Sequence, residues 1–183
     1  SACLLKDGVV VCAIEEERIR RVKHWSGFPS EAIKFCLEDQ NVTIKEVDYI
    51  TISRDSKKNI YKRILYVLKY SISPFNFWNR ILNSRRTSSV KSSLANLFQL
   101  SESDIRAQFY NIEHHLSHMG SSFFASRFKQ SAILSIDGFG DFTSTMTAFG
   151  QGNNIRSLKE LNYPHSLGVF YTTVTQFLGF PDY

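Results

Sequence analysis

Three closely spaced histidines are the residues of this sequence whose types and spacing most directly suggest chemistry. His114 and His118 are four positions apart, so on a helix their rings would share one face and could hold a single metal ion. His115 and His118, three positions apart, offer the same possibility. Histidines at helical spacing also occur on protein surfaces and in cores without a bound ion. The spacing alone therefore leaves the metal and the structural interpretation open.

A carboxylate follows the histidines at the end of an apolar run. Residues 131–136, Ser-Ala-Ile-Leu-Ser-Ile, predict a strand, and the Asp-Gly-Phe-Gly-Asp turn after it contains Asp137, Gly138 and Gly140. Residues 143–145 then begin a returning strand. Such a hairpin can bind nucleotide phosphates through backbone N–H groups and place an acid beside the associated metal, although an Asp-Gly pair is also a common turn. Only one helix and one strand separate the histidines from this turn, and each signal therefore supports the other.

Four stretches of the sequence, HHLSH, SSFFASRF, ILSIDGFGD and YPHSLGVFYTTVTQFLGF, together resemble the N-terminal part of the O-carbamoyltransferases of antibiotic and nodulation-factor biosynthesis. The resemblance covers most of residues 1–53 and 108–183. It implies a domain of the actin, sugar-kinase and heat-shock ATPase superfamily, joined to a second domain that makes carbamoyl-adenylate from carbamoyl phosphate and ATP. In such enzymes the first domain transfers the carbamoyl group to a hydroxyl and uses an iron ion.

The resemblance also implies roles for the residues of the histidine helix and the hairpin. The similar tRNA threonylcarbamoyltransferases hold a metal with a His-x-x-x-His pair, which here implies His114 and His118 as metal ligands. Asp137 would complete the metal shell or orient the nucleotide, and Gly138 and Gly140 would contact the nucleotide through their backbone. Two imidazoles and a carboxylate suit divalent iron or zinc, and the resemblance favours iron.

A charged segment near the start of the chain supplies a further candidate. Residues 15–29 contain four consecutive charges and resemble the EER-x-x-R-x-K-H-x-x-x-F-P segment of the same family. The resemblance makes His24 a candidate catalytic contact to carbamoyl-adenylate, since an imidazole can form hydrogen bonds or shuttle a proton near neutral pH. Without the resemblance, residues 15–18 are most simply a solvated turn.

A helix entry near the end of the chain is the last candidate site. Pro164 and Ser166 precede a helix predicted over 169–178, and the exposed N–H groups at such an entry can bind an anion. The resemblance makes His165 and Ser166 candidate nucleotide contacts. The structural alternative is an ordinary capped helix that packs three apolar residues inward: Phe170, Val174 and Phe177.

One segment carries the positive charge of the whole protein. Residues 54–91 contain ten Lys or Arg and one acid, a net charge of +9 in a chain whose total is +5, so the remainder carries −4. Apolar residues recur there every four positions and predict an amphipathic helix that ends at Pro74. The recurring residues are Ile60, Ile64, Leu68 and Ile72.

Three interpretations of this basic helix are open. The first is a helix with its apolar face in the core and its basic face in solvent. The second is a surface for an anionic acceptor or a phosphate-bearing partner, and the third is a helix that lies on a membrane surface. Nucleic acid is not expected as a partner, because no nucleic-acid motif accompanies the charge.

The remaining pattern alternates strands and helices. Leu4 to Ala13 predict a hairpin around Asp7-Gly8. Ser30 is expected to cap a helix that begins at Glu31. Further expected elements are a strand over 47–53, a helix over 87–99 capped by Thr87 or Ser88, a strand over 108–112 and a turn over 150–154.

The order of these elements predicts an α/β fold with ribonuclease-H-like lobes of the actin-like ATPase superfamily. Residues 1–129 would form a nearly complete first lobe with a basic helical insert at about 54–91, and residues 130–183 would begin a second, truncated lobe. The chain starts without Met and looks like a fragment, which should be inactive and poorly stable alone. We expect a His-Asp motif before Ser1, an adenylate-forming domain after Tyr183, and exposed apolar residues on the last helix.

Composition restricts the setting in which the protein works. No run of about 18 apolar residues is present, so no transmembrane segment is expected. Three cysteines without a Cys-x-x-Cys spacing, Cys3, Cys12 and Cys36, suit free thiols in a reducing cytoplasm.

The leading hypothesis is therefore a carbamoyltransferase that moves the carbamoyl group from carbamoyl-adenylate to a hydroxyl of a small-molecule acceptor in a biosynthetic pathway. The alternative from another class is a non-catalytic metal- or nucleotide-binding homologue whose basic segment serves as an interaction surface. A sugar-kinase-like phosphotransferase is a third hypothesis, disfavoured because kinases of this superfamily do not need the His-x-x-x-His pair.

Overall fold

A computed structural model describes residues 1–23, 25–55, 57–70 and 90–180 of the chain. The described residues form a mixed α/β structure with three small sheets, which confirms the predicted α/β class. The chain divides into two compact units. The first comprises Ser1–Ile50 and the described part of 78–109, and the second comprises the described parts of 51–77 and 110–183. The lobe boundary expected near residue 130 stays a prediction.

The secondary-structure elements follow one another in this order. The strands are β1 (Ala2–Lys6), β2 (Val9–Ile14), β3 (Tyr49–Ile52), β4 (Gln108–Asn111), β5 (Gln130–Gly140), β6 (Thr143–Gln151) and β7 (Asn154–Asn162). The α-helices are α1 (Glu16–Arg20), α2 (Ser30–Asp39), α3 (Ile60–Lys69), α4 (Val90–Phe98), α5 (His114–Phe123) and α6 (Leu167–Phe177). Two short 3-10 helices span Ile44–Glu46 and Glu102–Asp104.

The first unit begins with the predicted hairpin. Strands β1 and β2 pair antiparallel, with Lys6 opposite Val9, and the two residues between them, Asp7 and Gly8, have φ values of 51° and 80°. Two consecutive left-handed residues form the tight turn whose twist matches that of paired strands. The Asp-Gly signal of the sequence is therefore confirmed.

Helix α2 is capped differently from the prediction. Ser30 is its first helical residue and the N-cap is Pro29, while the Ser30 hydroxyl contacts Arg20 and the carboxylate of Glu31. The carboxylate of Glu16 instead accepts the backbone N–H groups of Glu31, at 3.2 Å, and Ala32, at 2.7 Å. Glu16 also pairs with Arg20 and is only 1% exposed. The prediction of a solvated turn over residues 15–18 is thus wrong for Glu16, because the unpaired N–H groups at the start of α2 draw this carboxylate inward.

A core of small and branched apolar residues fills the first unit. Its buried members are Leu37, Ile44, Leu94, Ala95, Ile105 and Ala107. Cys36 is buried beside them, and all three cysteines are free thiols, as expected. Burial and the neighbouring Cys12 raise the pKa of Cys36 to about 12, so this thiol stays protonated and unreactive at neutral pH.

The second unit contains an antiparallel sheet in the order β5-β6-β7. The turn between β5 and β6 is formed by Asp141 and Phe142, with φ values of 50° and 79°, at the last residue of the five-residue turn, 137–141, that the sequence predicts. The Asp-Gly-Phe sequence from Asp137 lies instead inside β5, in an irregular stretch where the register with β6 shifts between Ile136 and Gly140. Strand β7 was not predicted, because its sequence NIRSLKELN has little apolar alternation.

Helices α5 and α6 pack against this sheet. The core between α5 and the sheet consists of Met119, Phe123, Ile133, Met146 and Ala148. Helix α6 leaves Phe170 65% exposed and Phe177 87% exposed. The exposure expected for this helix is therefore confirmed, and the alternative with inward-packed apolar residues is wrong.

Helix α3 confirms the helix predicted in the basic segment. Its apolar face, however, is exposed. Its apolar side chains Ile60, Ile64 and Leu68 are 52%, 44% and 71% exposed. Lys62, on the opposite face, forms an ion pair with Glu160 of β7 at 2.6 Å, and the ring of Tyr66 packs edge-on against Phe142 and Tyr163. The interpretation with the apolar face in the core is thus wrong. Ile72, Pro74, Thr87 and Ser88 lie outside the described residues.

No helix among the described ranges is both long and apolar enough to cross a membrane. The cytoplasmic location stays a prediction.

Candidate metal centre

Helix α5 positions the histidines. Its N-cap residue is Glu113, whose carboxylate accepts the backbone N–H of Leu116 at 2.8 Å. Glu113 is 4% exposed, so this cap is buried. With the helix beginning at His114, the ring of His118 lies one turn later on the same face, and the two ring centroids are 4.6 Å apart. The i, i+4 relationship predicted from the sequence is confirmed.

The irregular stretch of β5 brings a carboxylate to this pair. Nε2 of His114 lies 2.7 Å from Oδ2 of Asp137 and 3.0 Å from Nε2 of His118. Nε2 of His118 lies 3.6 Å from the same carboxylate oxygen. In the described part of the chain, these three form the one group of His, Cys, Asp or Glu side chains whose ligand atoms are close enough to hold a metal ion together, all within 4.8 Å of one another.

A divalent cation would satisfy the three ligand atoms better than hydrogen bonds among the three side chains can. His114 can carry at most one proton on Nε2, and that proton cannot serve both the carboxylate and the second imidazole. Metal–nitrogen distances of about 2.0–2.1 Å place neighbouring ligand atoms roughly 3 Å apart, as observed here. The metal itself stays a prediction.

Asp137 is held in its ionised form. Burial of the carboxyl favours the neutral acid, but the hydrogen bond with His114 and the N–H of Gly138 outweigh it and lower the pKa of Asp137 below its usual value. The Gly138 N–H donates to Oδ1 at 2.6 Å. Oδ2 therefore remains directed at the histidines as a negatively charged ligand atom.

His115 faces away from the cluster and into the protein. Its ring is 0% exposed. Nε2 lies 3.1 Å from the carbonyl oxygen of Thr143, and Nδ1 lies 2.8 Å from the hydroxyl of Ser135. A carbonyl only accepts, so Nε2 carries the proton and Nδ1 accepts from the serine. Both nitrogens are occupied, which excludes the alternative pair of His115 and His118.

The two glycines after Asp137 have different surroundings. A Cβ atom on Gly140 would collide with the ring of His114, whereas a Cβ on Gly138 would meet nothing within 4 Å. Gly140 is therefore required for the close approach of the histidine ring to β5. Contact of either glycine with a nucleotide stays a prediction.

Ser166 joins the start of α6 to the site. Its hydroxyl lies 3.1 Å from the carbonyl oxygen of Asp137 and 2.8 Å from that of Gly138, and it accepts the N–H of Val169 at 3.1 Å. The predicted cap is confirmed, and it fixes the backbone of Asp137. The carbonyl of His165 accepts from Ser144 at 2.6 Å. Nucleotide contacts of His165 and Ser166 stay predictions, and His24 lies outside the described residues.

Sequence reasoning missed two residues that hold this site together. They are Glu113, which caps α5, and Asn59, which contacts the turn after β5. The acidic residue before His114 was the one signal present, since a negative charge is favourable near the start of a helix. The contact of Asn59 depends on the tertiary structure and has no local sequence signature.

Comparison with known proteins identifies the family to which the chain is similar. Residues 1–182 match the family described as carbamoyltransferase N-terminus. The uncharacterized protein sll1178 of Synechocystis is 36% identical over 188 residues. The nodulation protein NolNO of Sinorhizobium fredii is 33% identical over 182 residues, and the uncharacterized protein MJ1051 of Methanocaldococcus jannaschii is 27% identical over 180 residues.

The three alignments each cover 98% of this chain, which in turn spans 30%, 25% and 28% of the lengths of these relatives. The predicted resemblance to the nodulation carbamoyltransferases is thereby confirmed. Because the family match extends over almost every residue of the sequence, the chain belongs to the carbamoyltransferase N-terminus family.

Proposed function

We propose that the complete protein transfers a carbamoyl group from carbamoyl-adenylate, made from carbamoyl phosphate and ATP, to a hydroxyl of a small-molecule acceptor. Family membership supports carbamoyl transfer. The observation that carries the proposal is the convergence of His114, His118 and Asp137, with ligand atoms within 4.8 Å of one another, in a chain of this family.

In this proposal His114, His118 and Asp137 hold a divalent metal, with iron preferred over zinc. Their donor set of two imidazoles and one carboxylate suits either ion. When bound, the metal supplies Lewis-acid polarisation of a carbonyl or phosphate oxygen.

Neighbouring residues of the chain orient Asp137 for this role. The lowered pKa of Asp137 keeps its carboxylate charged, and the Gly138 N–H holds its second oxygen. Ser166 fixes the main chain of both residues. A site whose ligands are already oriented costs little reorganisation during the reaction.

The donor and acceptor sides of the reaction follow from the same proposal. We assign nucleotide contacts to Gly138, Gly140, His165 and Ser166, and a contact with carbamoyl-adenylate to His24. The acceptor oxygen attacks the carbamoyl carbon, the bond from that carbon to the AMP oxygen breaks, AMP leaves, and the hydroxyl proton is released to a base or to water.

We further propose that the fold is that of ribonuclease-H-like lobes of the actin-like ATPase superfamily, and that an adenylate-forming domain supplies the donor. The proposed fold is supported by the family match and by the antiparallel sheet β5-β6-β7 with helices α5 and α6 packed on it. The proposed adenylate-forming domain is compatible with the lengths of the relatives, of which this chain spans 25–30%.

Acceptor-dependent release of AMP tests the function. The complete protein is incubated with ATP, carbamoyl phosphate, ferrous iron and a panel of hydroxyl-bearing small molecules, and both AMP and the carbamoylated product are quantified. We expect AMP and product in equal amounts with at least one acceptor. Binding of metal and nucleotide without product for any acceptor would instead support the non-catalytic homologue with a basic interaction surface.

A further inference from the structure

The carboxylate of Asp141 contacts backbone groups on two separate segments. Its Oδ2 atom accepts the N–H of His114 at 3.1 Å and the N–H of Asp55 at 2.7 Å. His114 is the first residue of α5, so its N–H has no partner within the helix. A negative charge at this end also interacts favourably with the helix dipole. Asp141 thus stabilises the first turn of the helix that carries both histidines.

The backbone of Asp141 is fixed as firmly as its side chain. Asp141 and Phe142 form the left-handed turn at the tip of the β5–β6 hairpin. The side-chain amide of Asn59 donates to the carbonyl of Asp141 and to the hydroxyl of Thr143, both at 3.2 Å. Asn59 is 6% exposed and Thr143 is 0% exposed. The turn is therefore held from inside by a buried polar network, which is costly to disrupt.

These contacts hold two of the proposed metal ligands, His114 on α5 and Asp137 on β5, close to each other. Asp137 and Asp141 lie on the same hairpin, so the hairpin meets His114 at three points. Asp137 contacts the ring nitrogen, Gly140 packs against the ring face, and Asp141 holds the backbone N–H. If the last contact is lost, the start of α5 can shift relative to β5, and the ligand atoms separate.

We propose that Asp141 is a positioning residue for the metal site, acting through the backbone of His114 with the help of Asn59. This inference rests on the proposed metal at His114, His118 and Asp137. Asp141 is not a ligand in this arrangement, because the side chains whose ligand atoms converge are those of His114, His118 and Asp137 alone among the described residues. The network also ties Asp55 and Asn59, near the start of the basic segment, to the histidine helix.

A cobalt titration of the complete protein tests the inference. Chelator-treated protein is titrated with Co²⁺ and followed by visible absorption, which reports both affinity and ligand geometry. We expect Asp141→Ala to weaken Co²⁺ binding by about 10- to 100-fold, the usual effect of removing a partner behind a metal ligand, with one ion still bound at saturation. Asp141→Glu, which keeps the charge, should recover part of the affinity.

Two further variants separate positioning from general stability. Asn59→Gly removes the amide yet tolerates the φ of 60° at this position, and it should weaken Co²⁺ binding by a smaller factor. Asp104→Ala is the matched control. Asp104 accepts the N–H of Ser101 at 3.0 Å and its hydroxyl at 2.8 Å, so its loss should lower the melting temperature and leave Co²⁺ affinity unchanged.

The outcomes are distinguishable. Wild-type protein that binds no Co²⁺ would overturn the proposed metal site and this inference together. Wild-type binding with unchanged affinity in a folded Asp141→Ala variant would overturn the positioning role alone. If Asp141→Ala does not fold, Asp141→Gly takes its place, because it also lacks the carboxylate and tolerates the φ of 50° at this position. Wild-type Co²⁺ affinity in that variant would overturn the role equally.

Discussion

Nε2 of His114 lies 2.7 Å from Oδ2 of Asp137, although the two residues are 23 positions apart in the sequence. One stands at the start of α5 and the other in the irregular stretch of β5. An ionised carboxylate and an imidazole at this distance form a charge-assisted hydrogen bond or share a cation.

Asp137→Asn should keep the fold and lose function. The amide has the same shape as the carboxylate but carries no charge, so it is a poor metal ligand and a weaker partner for His114. We expect metal affinity to fall by at least about 10-fold, with ATP binding or the carbamoyl transfer rate falling as well. Circular dichroism checks the fold, and calorimetry with ATP checks binding. Unchanged ATP affinity together with an unchanged transfer rate would count against the assigned role.

Gly140→Ala should impair the metal site through shape alone. The new methyl group would occupy the position of the His114 ring, so the ring must move away from Asp137. We expect metal affinity to decrease by about 10-fold or more. Gly138→Ala is the matched control, because its methyl group enters open space. Equal metal affinities for the two variants, measured by titration of chelator-treated protein, would show that the close approach at Gly140 is unimportant.

His115→Leu should affect stability rather than metal binding. The substitution removes two buried hydrogen bonds and leaves the Ser135 hydroxyl and the Thr143 carbonyl without this partner. Each unsatisfied buried group costs about 1–3 kcal/mol, so urea should unfold the variant at a clearly lower concentration. Metal stoichiometry measured in the folded variant should equal that of wild type. A variant of normal stability that has lost its metal would mean that His115 is a ligand.

Glu16 should make stability depend on pH. Burial of its carboxyl opposes ionisation, but hydrogen bonds from Arg20 and from the N–H groups of Ala32 and Glu31 prevail and lower its pKa. A lowered pKa in the folded state stabilises the protein above the unfolded value, about 4.3, and this contribution disappears as pH falls through the folded value.

Glu16→Gln isolates that effect. At pH 7 the variant should be less stable than wild type by about 1–3 kcal/mol, the range for losing hydrogen bonds to a charged group. The difference should shrink as pH falls below about 4.3. Urea unfolding of both proteins between pH 7 and pH 3 measures it, and a difference that stays constant over this range would refute the assignment.

The parts of the site that could be predicted depend on local spacing. The His114 and His118 pair follows from helix geometry, and the first hairpin follows from the Asp-Gly turn. The proximity of Asp137 to the histidines followed from the order of elements together with the family resemblance. The first two of these signals are each contained in a few neighbouring residues, and the third is not.

The parts that could not be predicted depend on partners distant in the chain. Glu16 caps α2 from 15 and 16 positions away, and Asn59 contacts Asp141 from 82 positions away. The prediction of how α3 is oriented was wrong for a related reason. Periodicity identifies the apolar face of a helix but does not say which face meets the sheet, and Lys62 reaches Glu160 of β7.

The position of the β5–β6 turn differed from the prediction because the residues that form it, Asp141 and Phe142, carry no recognised turn sequence. Asp-Gly at residue 137 is the local turn signal. The strand continues past it through a register shift and turns at Asp141 and Phe142. The extra length places the carboxylate of Asp137 beside the histidines and leaves Asp141 at the tip.

Metal analysis of the complete protein tests the central claim most directly. Wild type, His114→Ala, His118→Ala and His115→Ala are purified without added metal and without oxygen, and their iron and zinc contents are measured by elemental analysis. We predict close to one metal ion per chain in wild type and in folded His115→Ala, and almost none in His114→Ala and His118→Ala. Stoichiometric metal in the His114 and His118 variants would contradict the account.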